Sequence, residues 1–109
     1  MSLDISFTAK ENIYCPHCGE IVGQTVVRYA DGGGRGWYDL LESFGYYIPL
    51  EQREGKYDWY GKDMELTPQQ VEEAFRFARN DALYGSLDIY SLLADAQEKG
   101  LRVVVNADW

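Results

Sequence analysis

Thr67-Pro68-Gln69-Gln70-Val71-Glu72-Glu73-Ala74-Phe75 is the stretch from which the architecture reads most directly. Thr67 offers a side-chain acceptor to the unpaired amides of a helix start. Pro68 suits the first helical position, where its missing N–H would have no partner, and Gln70 can return a hydrogen bond to the cap. Val71, Ala74, Phe75, Ala78 and Ala82 recur at helical spacing, which predicts a helix over 68–84 with those residues inward. Gly85 ends it, and Ser86 is the expected cap of a second helix over 87–99. Ile89, Leu92, Leu93 and Ala96 form the apolar stripe of that helix, and Lys99-Gly100 is its stop. Residues 101–106, apolar on both faces through Val103-Val104-Val105, read as a well-covered strand.

Toward the N-terminus the period changes from helical to alternating. Leu3-Asp4-Ile5-Ser6-Phe7-Thr8-Ala9 predicts a half-buried strand over 3–9, and Glu11-Asn12 a turn. Thr25-Val26-Val27-Arg28-Tyr29 is β-branched and aromatic, so 24–30 is expected to be a second strand, antiparallel to the first. Asp31-Gly32-Gly33-Gly34-Arg35-Gly36 should then break the sheet as a flexible loop. Residues 37–44 fit two helical turns, with Leu40, Leu41 and Phe44 on one side and Gly45 as the stop. Tyr46-Tyr47-Ile48-Pro49 is extended, because a residue before proline avoids the helical region. Glu54-Gly55 separates it from Lys56-Tyr57-Asp58-Trp59-Tyr60, where a hairpin or a loose loop is expected. Strands first, then a helix pair and a strand, give an α+β fold: one domain over 1–109 with a small antiparallel or mixed sheet.

Composition narrows the function classes. Apolar residues make up 46% and charged residues 26% of 109 positions, enough for a core without staples. The formal net charge of −8 works against phosphate backbones and anionic membrane surfaces, so neither nucleic acid nor membrane is an expected partner. No apolar run approaches the ~20 residues of a membrane span. No basic and apolar leader precedes the first strand, so a cytoplasmic setting with reduced thiols is expected.

The chemistry-bearing residues are concentrated in Cys15-Pro16-His17-Cys18-Gly19, which holds both cysteines and the single histidine. Two thiolates separated by two residues can turn back on one ion, with proline setting the turn and glycine relieving it where the chain reverses. The five residues resemble one knuckle of a zinc ribbon, carried here on the N-terminal hairpin, but the second knuckle is missing. A structural zinc wants four ligands. His17 lies inside the turn, where its ring would point away from an ion. Four readings follow: a vestigial turn, completion by a carboxylate such as Asp31, one zinc shared by two chains through four cysteines, or a redox pair. Cys-Pro-His-Cys also resembles the active-site tetrapeptide of oxidising thioredoxin-like proteins. In those, a helix N-terminus lowers the pKa of the first cysteine. Here Gly19-Glu20-Ile21-Val22-Gly23 follows, which predicts a strand and an ordinary thiol, so the redox reading ranks behind the knuckle.

Other candidates are weaker. The Gly32–Gly36 loop with Arg35 suggests a phosphate cradle but fits neither glycine-rich phosphate motif, since Trp37 stands where the third glycine should be. Glu72-Glu73, Asp58, Asp63 and Glu65 lack any spacing distinctive of an acid–base pair. The second signal is aromatic: nine Tyr and three Trp raise aromatics to 15%, clustered between Tyr29 and Tyr60. Trp37, Tyr38, Trp59 and Tyr60 are expected to be partly exposed and to form an interaction surface, since Tyr and Trp suit boundaries between dry and wet. The functional expectation is a non-enzymatic module that binds a protein partner or itself. Cys15 and Cys18 are its candidate metal ligands, with no cofactor in the monomer and zinc only as an ion shared by two chains. A thiol-dependent oxidoreductase with Cys15 as nucleophile is the alternative.

Overall fold

The central strand is decided by alternation. The computed structural model describes residues 3–49, 51, 58–80 and 82–109. In β1 (Asp4–Tyr14), Ile5, Phe7 and Ala9 point to one face and are fully buried, while Asp4, Ser6 and Thr8 point to the other. β2 (Ile21–Gly33) pairs antiparallel along one side of β1. A 3-10 turn at Arg35–Trp37 leads into α1 (Tyr38–Ser43). The rest comprises the short β3 (Met64–Glu65), α2 (Pro68–Phe77), α3 (Ser86–Lys99) and β4 (Arg102–Asp108). The four strands form one sheet in the order β2-β1-β4-β3, with every pairing antiparallel. The α+β class with a C-terminal helix pair is as expected, and the sheet is antiparallel rather than mixed.

The helices lie over the face that carries Ile5, Phe7, Val103 and Val105. Ile89, Leu92, Leu93 and Ala96 of α3 are buried there, with Val71 and Ala74 of α2 and Leu40 and Leu41 of α1. The start of α2 follows its sequence closely. Thr67 Oγ1 accepts from the Gln70 amide at 3.2 Å, and Gln70 Oε1 accepts from the Thr67 amide at 2.9 Å. Gly100 stops α3 in the left-handed conformation, with φ 65. Val104 points away from the helices and is only half-buried, so β4 is well covered on one face rather than both.

Several boundaries differ from expectation, each for a local reason. The first long helix ends at Phe77 instead of 84. Past Ala78 the backbone tightens to i→i+3 bonds, and Asn80 Oδ1 accepts from the Ala82 amide at 3.1 Å, a side-chain turn that competes with the helix. Ala82 is consequently exposed. Ser86 does not cap α3: the cap position is Gly85, with φ 82 and no side-chain cap, and Ser86 is buried. Glu11-Asn12 is not a turn, because β1 runs on to Tyr14 opposite β2 after a bulge near Lys10. Asp31-Gly32-Gly33 does not break the sheet; it is the last part of β2.

That last difference explains the glycines. The Gly33 amide donates to the Tyr84 carbonyl at 3.2 Å. A Cβ on Gly32 would lie 2.3 Å from that same carbonyl oxygen, and one on Gly85 would lie 2.3 Å from the Asp31 carbonyl oxygen. At Gly32, Gly33 and Gly85 the space a side chain would take is filled by the chain's own backbone rather than left for a phosphate. Part of the expected loop or hairpin before Tyr60, including Glu54, Gly55 and Tyr57, lies outside the described residues.

Trp37 corrects the aromatic expectation: it is fully buried. Its ring meets Phe7 and Phe77 with centroids 6.2 and 5.7 Å apart, and its Nε1 donates to the Tyr84 carbonyl at 3.2 Å. Phe75, expected inward, is half-buried and stacks on Tyr90 at 4.5 Å. Trp37→Ala should therefore cost about 3–5 kcal/mol in denaturant unfolding, and Phe75→Ala only about 1–2 kcal/mol. Equal costs would mean that the core is centred elsewhere.

Candidate functional site

β4 pairs with β1 only as far as Lys10, opposite Arg102. Beyond that point β1 and β2 continue as a two-stranded arm, with Glu11 opposite Thr25, Asn12 opposite Gln24 and Tyr14 opposite Ile21. Two contacts hold its base. Arg102 donates to Asn12 Oδ1 at 3.3 Å. Arg28 donates to the Ser91 carbonyl and hydroxyl, both at 3.1 Å, and to Asp95 Oδ2 at 2.7 Å. The Arg28 bond holds the Asp95 carboxyl below its usual range. Outward of Arg28 the arm has left the helices.

The arm's apolar side chains are accordingly left in solvent. Ile13, Tyr14, Ile21, Val22, Val26 and Val27 are six of the eleven exposed large hydrophobics among the described residues, with Val22 at 64%. Sequence reasoning treated their neighbourhood only as strand. The available signal was that the Ile21-Val22 and Val26-Val27 pairs lie in a segment with few apolar residues to cover them.

At the tip, the Cys15 amide donates to the Glu20 carbonyl at 2.7 Å and the Gly19 amide to the Cys15 carbonyl at 2.9 Å. Gly19 adopts φ 74, the left-handed turn position that its lack of a Cβ permits. Cys15 is half-buried, while His17 and Cys18 are exposed, and both thiols are free. The Cys15 thiol is pushed down, foremost by a hydrogen bond from the Cys18 amide, then by the His17 amide and the Cys18 side chain. It is therefore not the ordinary thiol expected from the sequence. The cause is also not that of a thioredoxin-like site: turn amides stabilise the thiolate, and a strand rather than a helix follows.

Among the described residues the metal donors gathered at the tip are the two thiols. Among the described residues no three His, Cys, Asp or Glu side chains converge on a point that could hold an ion. Asp31 pairs across from the Ser6 position, at the end of the hairpin remote from Cys15, so it cannot complete a site there. The described residues of one chain thus gather no four-ligand set for zinc.

The aromatic candidates separate. Trp37 belongs to the core, whereas Tyr38 and Tyr60 meet the edge of Trp109 at 6.1 and 4.9 Å, and Tyr47 meets it at 5.2 Å. Tyr38 is half-buried, and Trp59 and Tyr60 are exposed. Trp109, which sequence reasoning did not single out, is the hub. It follows Asp108, which pairs with Asp4, so this cluster and the cysteine tip occupy opposite ends of β1. Comparison of the chain with protein-family models, with curated proteins and with solved structures finds no match.

The thiol geometry is testable directly. Cys15 should be alkylated by iodoacetamide faster than an unperturbed thiol at neutral pH, because more of it is thiolate. Cys18→Ala should slow that reaction by removing one of its donors. An unchanged rate in Cys18→Ala would mean that the neighbouring side chain contributes nothing.

Proposed function

We propose that the protein is a non-enzymatic interaction module that holds a protein partner along the β1–β2 arm. One observation carries this reading: Ile13, Tyr14, Ile21, Val22, Val26 and Val27, on the arm and at its base, make up six of the eleven exposed large hydrophobics among the described residues. Exposed apolar side chains gathered on one element mark association sites, since covering them returns about 25 cal/mol for each Å² removed from water. The acidic charge favours protein over nucleic acid as the partner. Among the described residues no helix is long and apolar enough to cross a membrane. Tyr38, Trp59 and Tyr60 offer a second contact surface at the far end of β1.

In this reading Cys15-Pro16-His17-Cys18-Gly19 is a degenerate zinc-ribbon-like knuckle in a reducing cytoplasm, kept because it closes the arm. Zinc binds only where two chains together supply four thiolates. A thiol-dependent oxidoreductase using Cys15 and Cys18 is the second reading, and the lowered Cys15 thiol is what favours it.

A photoreactive residue placed at Val22 tests the module in its native host. Position 87 on α3 serves as control, because Leu87 is 77% exposed but lies off the arm. Protein adducts are expected from position 22 and not from 87. No adduct from 22 or 26 would remove the arm from consideration. Native purification should yield metal-free protein, and one firmly held zinc per chain would count against the knuckle as described.

A further inference from the structure

We infer that the arm's partner is a second copy of this chain, joined edge to edge through the Ile21–Val27 segment of β2 about a two-fold axis. The inference rests on the reading of the arm as the binding surface and names what covers it.

The two edges of the sheet are unequally guarded. β3 closes one side with only two residues, between Asp63 and Leu66, and Glu65 on it pairs with Arg102. Short, charged edges of this kind resist pairing with another chain. β2 closes the other side and is guarded only in part. Tyr84 takes up the Gly33 amide, and Arg28 is fastened to Ser91 and Asp95. From Val27 to Ile21 no proline and no charged residue interrupts the strand. Bulges at Val27 and Val22 bound a regular run of four residues, 23–26, about 13 Å long, which is the part open to one more pairing.

Charge decides the occupant. The Ile21–Val27 segment carries no charged residue, so the excess of −8 resides outside the edge that pairs. Two copies approaching by their bodies repel each other, and two approaching by their arms do not. Antiparallel pairing, which a two-fold axis imposes, also sends the two acidic bodies to opposite ends of the joined ribbon. The pairing continues an all-antiparallel sheet across the axis, from four strands to eight. Val22 and Val26 of one chain then lie against the same segment of the other, which covers side chains that are 64% and 58% exposed. The cysteine turns fall on opposite sides of the axis, so this dimer needs no shared metal.

Sedimentation of the full chain over a range of concentrations tests the pairing. Wild type should dimerise, with or without chelator. Replacing both Val22 and Val26 by Lys should raise the dimer dissociation constant about tenfold or more through like charges facing across the axis. The matching double Glu variant should do the same, and an equimolar mixture of the two should recover dimer. A wild type that stays monomeric throughout overturns self-pairing. So does a dimer that the Lys pair leaves intact, or one that chelator or Cys18→Ser dissociates. If the variants fail to fold, hydrogen exchange on wild type decides: amides of 21–27 must gain protection as concentration rises, and their failure to do so refutes the interface. Cross-links from position 22 to a different protein, with a monomeric wild type, would sink this inference and leave the module reading standing. No cross-links at all would sink both.

Discussion

The structure depends on a close backbone approach between Gly32-Gly33 on β2 and Tyr84-Gly85 at the start of α3. The Tyr84 carbonyl accepts from the Gly33 amide and from Trp37 Nε1, so one oxygen joins the sheet, the buried tryptophan and the helix pair. Methyl groups on Gly32 or Gly85 would force the two backbones apart. The contact fixes where α3 begins, and hence which part of β2 it covers. Everything beyond Arg28 is left uncovered as a result.

Legibility in the sequence followed the range of the forces involved. The cap of α2 was readable because Thr67 and Gln70 satisfy each other within one turn. The stripe of α3 and the buried Val103 and Val105 were readable because periodicity reports burial directly. The end of α2, the true cap of α3 and the role of Gly32-Gly33 were not. Each depends on a contact between segments distant in sequence, where a glycine that looks like a loop serves as a place of approach. Trp37 misled for the same reason: its indole N–H finds a buried carbonyl that no local pattern reveals.

The site was legible at its tip and not along its length. Cys15-Pro16-His17-Cys18-Gly19 marks a tight reversal, and Gly19 makes it as expected. What the spacing does not convey is that the turn's amides and the Cys18 side chain lower the Cys15 thiol. Nor does alternation in β2 disclose that β4 stops at Lys10, which is what turns an ordinary strand pair into an arm. Burial was inferred from side-chain type, whereas in this hairpin it is set by the length of a neighbouring strand. Tyr38 and Tyr60 were expected at a surface and gather at Trp109, whose part in the cluster depends on the whole sheet being in place.

The pairing of β1 with β4 brings together the first and last strands of the sequence. On a ribosome the hairpin of β1 and β2 emerges early, and the helices follow. The inner flank of β1 must wait for residues 102–108 before it is closed. Until then the nascent chain presents two open strand flanks, and pairing with β4 closes only one of them. A topology whose central ladder joins such distant segments folds slowly for its size. It also spends that interval in the state most prone to pairing wrongly with its neighbours.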